Sequence, residues 1–217
     1  MDSTPRLILT RRAGLAALVA GLIGGQGARA AARIPVITLL GDSITAGYGL
    51  AAADALPAQL QAALAHIGVQ AQVRGAGVSG DTTADGLARV DFSVQADSAL
   101  VLVELGGNDL LQGIEPAAVK TSLTAIVQRL KARHLPVVIA GMRAPPKIGA
   151  DYARAFDAVF PAVAHAQGVG LYPFLLEGVA GDRSLNQGDG VHPNPAGVKI
   201  IARRLAPVLA RALKARA

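Results

Sequence analysis

Five residues of this sequence have the types and surroundings that acyl-transfer chemistry requires: Ser43, Gly80, Asn108, Asp189 and His192. An alcohol is a weak nucleophile until a base takes its proton, and imidazole does so near neutral pH. His192 can be that base. Asp189, three positions earlier in Asp189-Gly190-Val191-His192-Pro193-Asn194, reaches the other ring nitrogen within one tight turn, where it selects the tautomer and stabilises the imidazolium. Pro193 restricts the His192 backbone toward extended conformations. The backbone N–H groups of Ser43 and Gly80, with the side-chain amide of Asn108, supply donors for a developing oxyanion; losing one such donor typically costs ~3 kcal/mol of transition-state stabilisation. Only neutral imidazole accepts a proton, so activity is expected to fall below about pH 6.5.

Neighbouring residues have plainer assignments. Ser79 is a rival hydroxyl, but no histidine motif pairs with it and it is assigned to a turn. Asp42 is expected to hydrogen-bond the backbone of the serine turn, and Asp81 to be a turn or cap residue. Asp109 either braces the loop carrying Asn108 or faces solvent. Asp182, ten residues before His192, lacks the local geometry to serve as its partner. His66, His134 and His165 are read as surface or satisfied core residues.

Positioning these groups falls to an alternation of apolar runs and helical repeats. Ile34–Leu40 reads as a short buried strand ending at Gly41-Asp42-Ser43. Leu56, Leu60, Ala63, Leu64 and Ile67 recur at helical spacing before Gly68. Val69–Val73 predicts a second strand, running toward the turn Gly75–Thr83, and Ala84–Val90 a short helix capped by Asp81 or Thr82. Ala99–Leu105 predicts a strand buried on both faces and ending at Gly106-Gly107-Asn108-Asp109. A helix from Pro116, a strand at Pro136–Gly141, one helix over Tyr152–Gln167 and a short strand at Val169–Pro173 follow. The last helix starts at Asn194-Pro195, an N-cap followed by proline at the first helical position. Its basic residues Arg203, Arg204, Arg211, Lys214 and Arg216 are expected on a solvated face while its apolar face packs on the sheet. Strands alternating with helices imply an α/β fold with a parallel sheet, in which Ser43, Gly80 and Asn108 share the carboxyl edge where ligands bind.

Gly-Asp-Ser near the start of the mature chain, Gly80 within Ser-Gly-Asp-Thr, Gly-Gly-Asn-Asp, and Asp-Gly-Val-His-Pro-Asn resemble the four sequence blocks of the SGNH (GDSL-type) hydrolases. The nearest likeness is to the bacterial periplasmic arylesterase/thioesterase/lysophospholipase branch, and it covers nearly all of residues 31–217. The resemblance implies a three-layer αβα, flavodoxin-like sheet of five strands in order 2-1-3-4-5, with no cofactor and no metal. It assigns Ser43 as nucleophile, Gly80 and Asn108 as oxyanion donors with Ser43, His192 as base and Asp189 as its orienting acid. The glycine-serine-glycine elbow of α/β-hydrolases is absent, residue 45 being threonine. Hydrolysis of aryl esters, short-to-medium acyl esters, thioesters or lysophospholipids through an acyl-serine is expected. The alternatives are a carbohydrate O-acetylesterase or acetyltransferase of the cell envelope, or a non-catalytic flavodoxin-like binding protein. Leu110, Leu111 and Ile114 after the asparagine turn, with Pro145 and Ile148 after the fourth strand, are expected on the same edge as an apolar acyl groove.

Composition bounds the rest. The chain has 217 residues, 52% of them hydrophobic but only 3% aromatic, so the core is aliphatic and alanine-rich. Half of the formal charge of +6 comes from Arg6, Arg11, Arg12 and Arg29 against Asp2 within residues 1–30. No basic block with interleaved aromatics follows, which argues against nucleic-acid binding. The absence of cysteine excludes disulfides, a thiolate nucleophile and zinc-thiolate sites. Residues 1–30 read as an export signal: a basic start, an uncharged apolar stretch over Ala13–Gly25, and Ala28-Arg29-Ala30 as a small-x-small cleavage site. Thr10-Arg11-Arg12 resembles a twin-arginine signal. A periplasmic or secreted monomer is expected, acting on a small-molecule ester or thioester, without stable membrane insertion once the signal is removed.

Overall fold

The computed structural model describes residues 1–2 and 34–215; all but the first two residues of the expected export signal, and Arg216, lie outside the described residues. A five-stranded sheet, all of whose pairings are parallel, runs in the order β2-β1-β3-β4-β5. Its strands are β1 (Val36–Gly41), β2 (Gln72–Gly77), β3 (Ser98–Glu104), β4 (Val137–Ala140) and β5 (Gly170–Tyr172). The helices are α1 (Ser43–Ala46), α2 (Leu56–His66), α3 (Thr83–Ser93), α4 (Gly107–Leu111), α5 (Pro116–Ala132), α6 (Ala150–Asp157), α7 (Val159–Gln167) and α8 (Pro195–Lys214). On one side α2 packs against α8; on the other, α5 packs against α3 and α7. The expected α/β fold and strand order are therefore present.

Each central strand is buried on both faces because its sequence is apolar at nearly every position. Ile37, Leu39 and Leu40 of β1 and Leu100 through Val103 of β3 are fully buried, each worth about 1.5–3 kcal/mol relative to exposure. The polar exception in β1, Thr38, bonds the Ser98 hydroxyl at 2.8 Å. Val198, Ile201, Leu205 and Leu209 form the buried face of α8 while Arg203, Arg204, Arg211 and Lys214 stay exposed, as the periodicity requires. Asn194 caps this helix by accepting from the N–H groups of Ala196 and Gly197. No helix among the described residues is long and apolar enough to cross a membrane.

Two elements depart from the sequence expectations. The second strand lies at Gln72–Gly77 rather than Val69–Val73, because the Val69 N–H bonds back to Leu64 and closes α2, while the Gln72 N–H begins the ladder on Pro35. Tyr152–Gln167 forms two helices that meet at Ala158. Pro161 lacks an N–H for the carbonyl of Asp157 and its ring crowds that carbonyl, which breaks a continuous helix four residues upstream.

Candidate active site

Ser43 opens α1 directly after β1, and the turn is built by its neighbours. Asp42 is the N-cap, its Oδ1 accepting from the Ile44 N–H at 3.0 Å, as the sequence suggested. Close packing beside the turn demands a glycine in β2: a Cβ on Gly77 would lie 2.4 Å from the Ala46 nitrogen and 2.6 Å from the Asp42 carbonyl. Ser43 itself is 9% exposed, so its hydroxyl is the reachable part of a buried turn.

The base arrives from the loop before α8. His192 Nε2 lies 2.8 Å from Ser43 Oγ, and His192 Nδ1 lies 2.6 Å from Asp189 Oδ2. Asp189 Oδ1 accepts from the N–H groups of Val191 and His192 at 2.9 and 3.0 Å. These bonds, the imidazole's first, pull the Asp189 carboxyl down to about 2, so it is an anion throughout the neutral range. Asp182 instead accepts from the N–H and hydroxyl of Ser184. The Tyr48 ring lies against the imidazole, centroids 4.8 Å apart.

Asn108 projects from the first turn of α4. Its Nδ2 donates to the Asp81 carbonyl at 3.0 Å and more weakly to Asp42 Oδ2 at 3.4 Å, so the amide is tied to the residue after Gly80 and to the serine turn together. Gly80 sits in the exposed loop after β2 with φ +91°, a backbone state that glycine adopts without strain. Asp109 is buried and accepts from the N–H and hydroxyl of Thr83 at 2.8 and 2.6 Å. Of its two expected roles it takes the brace, locking the Asn108 turn to α3.

Three features beneath the site escaped the sequence reading. Arg89 of α3 donates to the carbonyls of Gly41 and Ala76, each at 2.8 Å, and to Asp81 Oδ2 at 2.5 Å. One guanidinium thus joins the ends of β1 and β2 to the Gly80 loop. Glu104, at the end of β3, is fully buried without a cation; its Oε2 accepts from the Thr45 hydroxyl at 2.6 Å and the Asp42 N–H at 3.4 Å, and its Oε1 has no partner. Burial, then the nearby Asp42 carboxylate, pushes the Glu104 carboxyl well above its ordinary range, and burial pushes Asp42 up to about 6. The third is the Gln187 side chain, between the Ser43 turn and the His192 loop. Only the blocks beside a glycine or proline were visible as motifs; these three act through partners remote in sequence.

A cavity of about 480 Å³ opens beside Ser43, Asn108 and His192. Of the expected groove residues, Leu110, Leu111 and Pro145 line it. Ile114 and Ile148 are not among its lining: Ile114 packs on the core with its carbonyl held by the Tyr152 hydroxyl, and Ile148 ends an exposed single turn after the cavity wall. Met142, Phe174, Leu176 and Val191 line it as well, the last three from loops whose apolar residues carry no periodic signal.

Residues 39–200 match the GDSL-like Lipase/Acylhydrolase family. Esterase TesA of Pseudomonas aeruginosa is 39% identical over 174 residues, covering 80% of this chain and 87% of that protein. Thioesterase 1/protease 1/lysophospholipase L1 of Escherichia coli K12 is 37% identical over 180 residues, covering 82% and 85%. The crystal structure of AlinE4, an SGNH-hydrolase family esterase, superposes with a TM-score of 0.70 at 44% identity, covering 82% of this chain and 96% of that one. The chain therefore belongs to the GDSL-like lipase/acylhydrolase family and is an ester hydrolase of the SGNH type.

Proposed function

We propose that Ser43, His192 and Asp189 form the catalytic triad of a serine esterase that cleaves carboxylic esters and thioesters through an acyl-Ser43 intermediate. The observation that carries this reading is the unbroken line Ser43 Oγ–His192 Nε2, 2.8 Å, and His192 Nδ1–Asp189 Oδ2, 2.6 Å. Ser43 Oγ attacks the substrate carbonyl as His192 Nε2 takes its proton. The tetrahedral oxyanion is held by the backbone N–H groups of Ser43 and Gly80 and by the Asn108 Nδ2 hydrogen that otherwise makes the weak 3.4 Å contact with Asp42. Collapse breaks the bond to the alcohol or thiol, which leaves with the proton from His192. Water, deprotonated by the same imidazole, then releases the acid and restores the serine.

The cavity beside Ser43 takes the acyl chain, with Leu110, Leu111 and Pro145 on its wall. Its apolar lining suits short-to-medium acyl and aryl groups; the names of the relatives, which include a thioesterase and a lysophospholipase, support the same substrate range. Residues 1–30 act as the export signal and place the enzyme in the periplasm or outside the cell; intact mass of the exported protein checks the cleavage after Ala30. Ser43→Ala, assayed with p-nitrophenyl acetate, abolishes turnover and labelling by a fluorophosphonate; wild-type rates in this variant would remove Ser43 from the mechanism.

A further inference from the structure

We propose that Gln187 is a positioning residue that sets the separation of Ser43 and His192 by fastening together the two segments that carry them. The two segments are remote in sequence: the Ser43–His192 pair spans 149 positions. Both hydrogens of Gln187 Nε2 are used, one on the Tyr48 carbonyl at 2.9 Å and one on the Pro193 carbonyl at 3.0 Å. Tyr48 belongs to the serine segment, and its own N–H donates to the Ser43 carbonyl at 3.0 Å. Pro193 follows the base. The Gln187 backbone N–H also donates to the His192 carbonyl at 2.8 Å, and its carbonyl accepts from Gly190 at 3.0 Å.

A closed circuit results. It passes from Ser43 to Tyr48, from Tyr48 to Gln187, from Gln187 to His192, and from the imidazole back to the serine hydroxyl. The Tyr48 ring adds a second strut, because the peptide held by Gln187 is the one that sets that ring against the imidazole. Of the two ends of the amide only the NH₂ group can donate to both carbonyl oxygens, which fixes its orientation. The opposite face of the amide is accommodated by Gly49, at φ +72°, where a Cβ would lie 2.2 Å from Gln187 Oε1. A side chain that donated once, or a carboxylate of the same shape, would leave a carbonyl on one segment facing a void or a like charge.

The effect belongs to the chemical step. Gln187 does not line the acyl cavity, so its loss leaves ground-state binding intact and misaligns nucleophile and base, where displacements near 1 Å cost up to about 100-fold. The inference rests on the assignment of Ser43 and His192 as nucleophile and base, and the controls separate the two. Steady-state kinetics on p-nitrophenyl butyrate are compared for wild type, Ser43→Ala, Gln187→Glu and the uncharged, near-isosteric Gln187→Met, each verified as folded by circular dichroism. The expected result is a 10- to 100-fold fall in kcat with KM within twofold for both Gln187 variants, and an equal fall in the rate of fluorophosphonate labelling. Folded Gln187 variants with wild-type kcat, or a loss confined to KM, overturn the role of Gln187. Activity surviving in Ser43→Ala overturns the underlying assignment instead. Where neither Gln187 variant folds, wild-type NMR decides: slow exchange of both Gln187 side-chain amide protons supports the circuit, and exchange as fast as that of the exposed glutamines overturns it.

Discussion

Glu104 is the residue whose chemistry least resembles its neighbours'. A carboxyl group buried without a cation stays protonated, because ionisation would place a second charge beside Asp42 in a medium that solvates neither. Since its folded pKa lies above the unfolded one, the folded state binds more protons than the unfolded chain between those two values. Stability is therefore fully present below the ordinary carboxylate range and declines as pH rises through the folded-state value; Asp42, raised to about 6, acts in the same direction. Glu104→Gln keeps the shape, offers the Thr45 hydroxyl its amide oxygen and removes the ionisation. Urea unfolding at pH 5 and pH 8 is expected to show the variant gaining on wild type as pH rises. An identical pH dependence for both proteins would mean that Glu104 is not held neutral. Asp189 has the opposite sign: its depressed carboxyl adds stability above the ordinary range that is lost only as pH falls toward about 2.

Among the elements, α3 matters more to the site than its exposed position suggests. Thr82 and Asp85 form a capping box at its start, Thr83 grips Asp109 beside Asn108, and Arg89 further along the helix gathers the ends of β1 and β2. Lysine cannot reproduce the fork of a guanidinium, so Arg89→Lys leaves a strand-end carbonyl or Asp81 unserved. A 10- to 100-fold loss of kcat is expected as the Gly80 loop shifts from the oxyanion position, measurable beside a thermal melt lowered by only a few degrees. Little of this scaffold can be read in one dimension. Strands β1, β3 and β4 are legible because burial on both faces leaves a run that is apolar but for Thr38 in β1 and Ser98 and Glu104 at the ends of β3. β2 is displaced because Gly75, Ala76 and Gly77 carry no strand preference, and the two glycines stand where a Cβ would strike Pro57 of α2 and the Ala46 nitrogen of α1. The α6–α7 break turns on one proline whose effect appears four residues upstream. Serine, histidine and aspartate are legible because glycine and proline beside them mark constrained turns; Arg89, Glu104 and Gln187 are ordinary polar residues until the fold delivers their partners.

For the molecule as a whole, the sheet edge joins a water-accessible polar line to an apolar cavity of about 480 Å³. Each methylene transferred from water to such a wall contributes ~0.8 kcal/mol, a factor of about four. Across p-nitrophenyl esters from acetyl to palmitoyl, kcat/KM is expected to climb by up to about fourfold per methylene, then level or fall once the chain extends past Phe174 and Val191. A flat profile would show that the acyl chain lies elsewhere. The order in which the site is assembled has a temporal consequence. Ser43 and its turn leave the ribosome 149 residues ahead of His192, about 7–30 s at ordinary elongation rates. Throughout that interval the hydroxyl has no imidazole to draw off its proton, and the nascent polypeptide stays chemically mute among the cell's own thioesters.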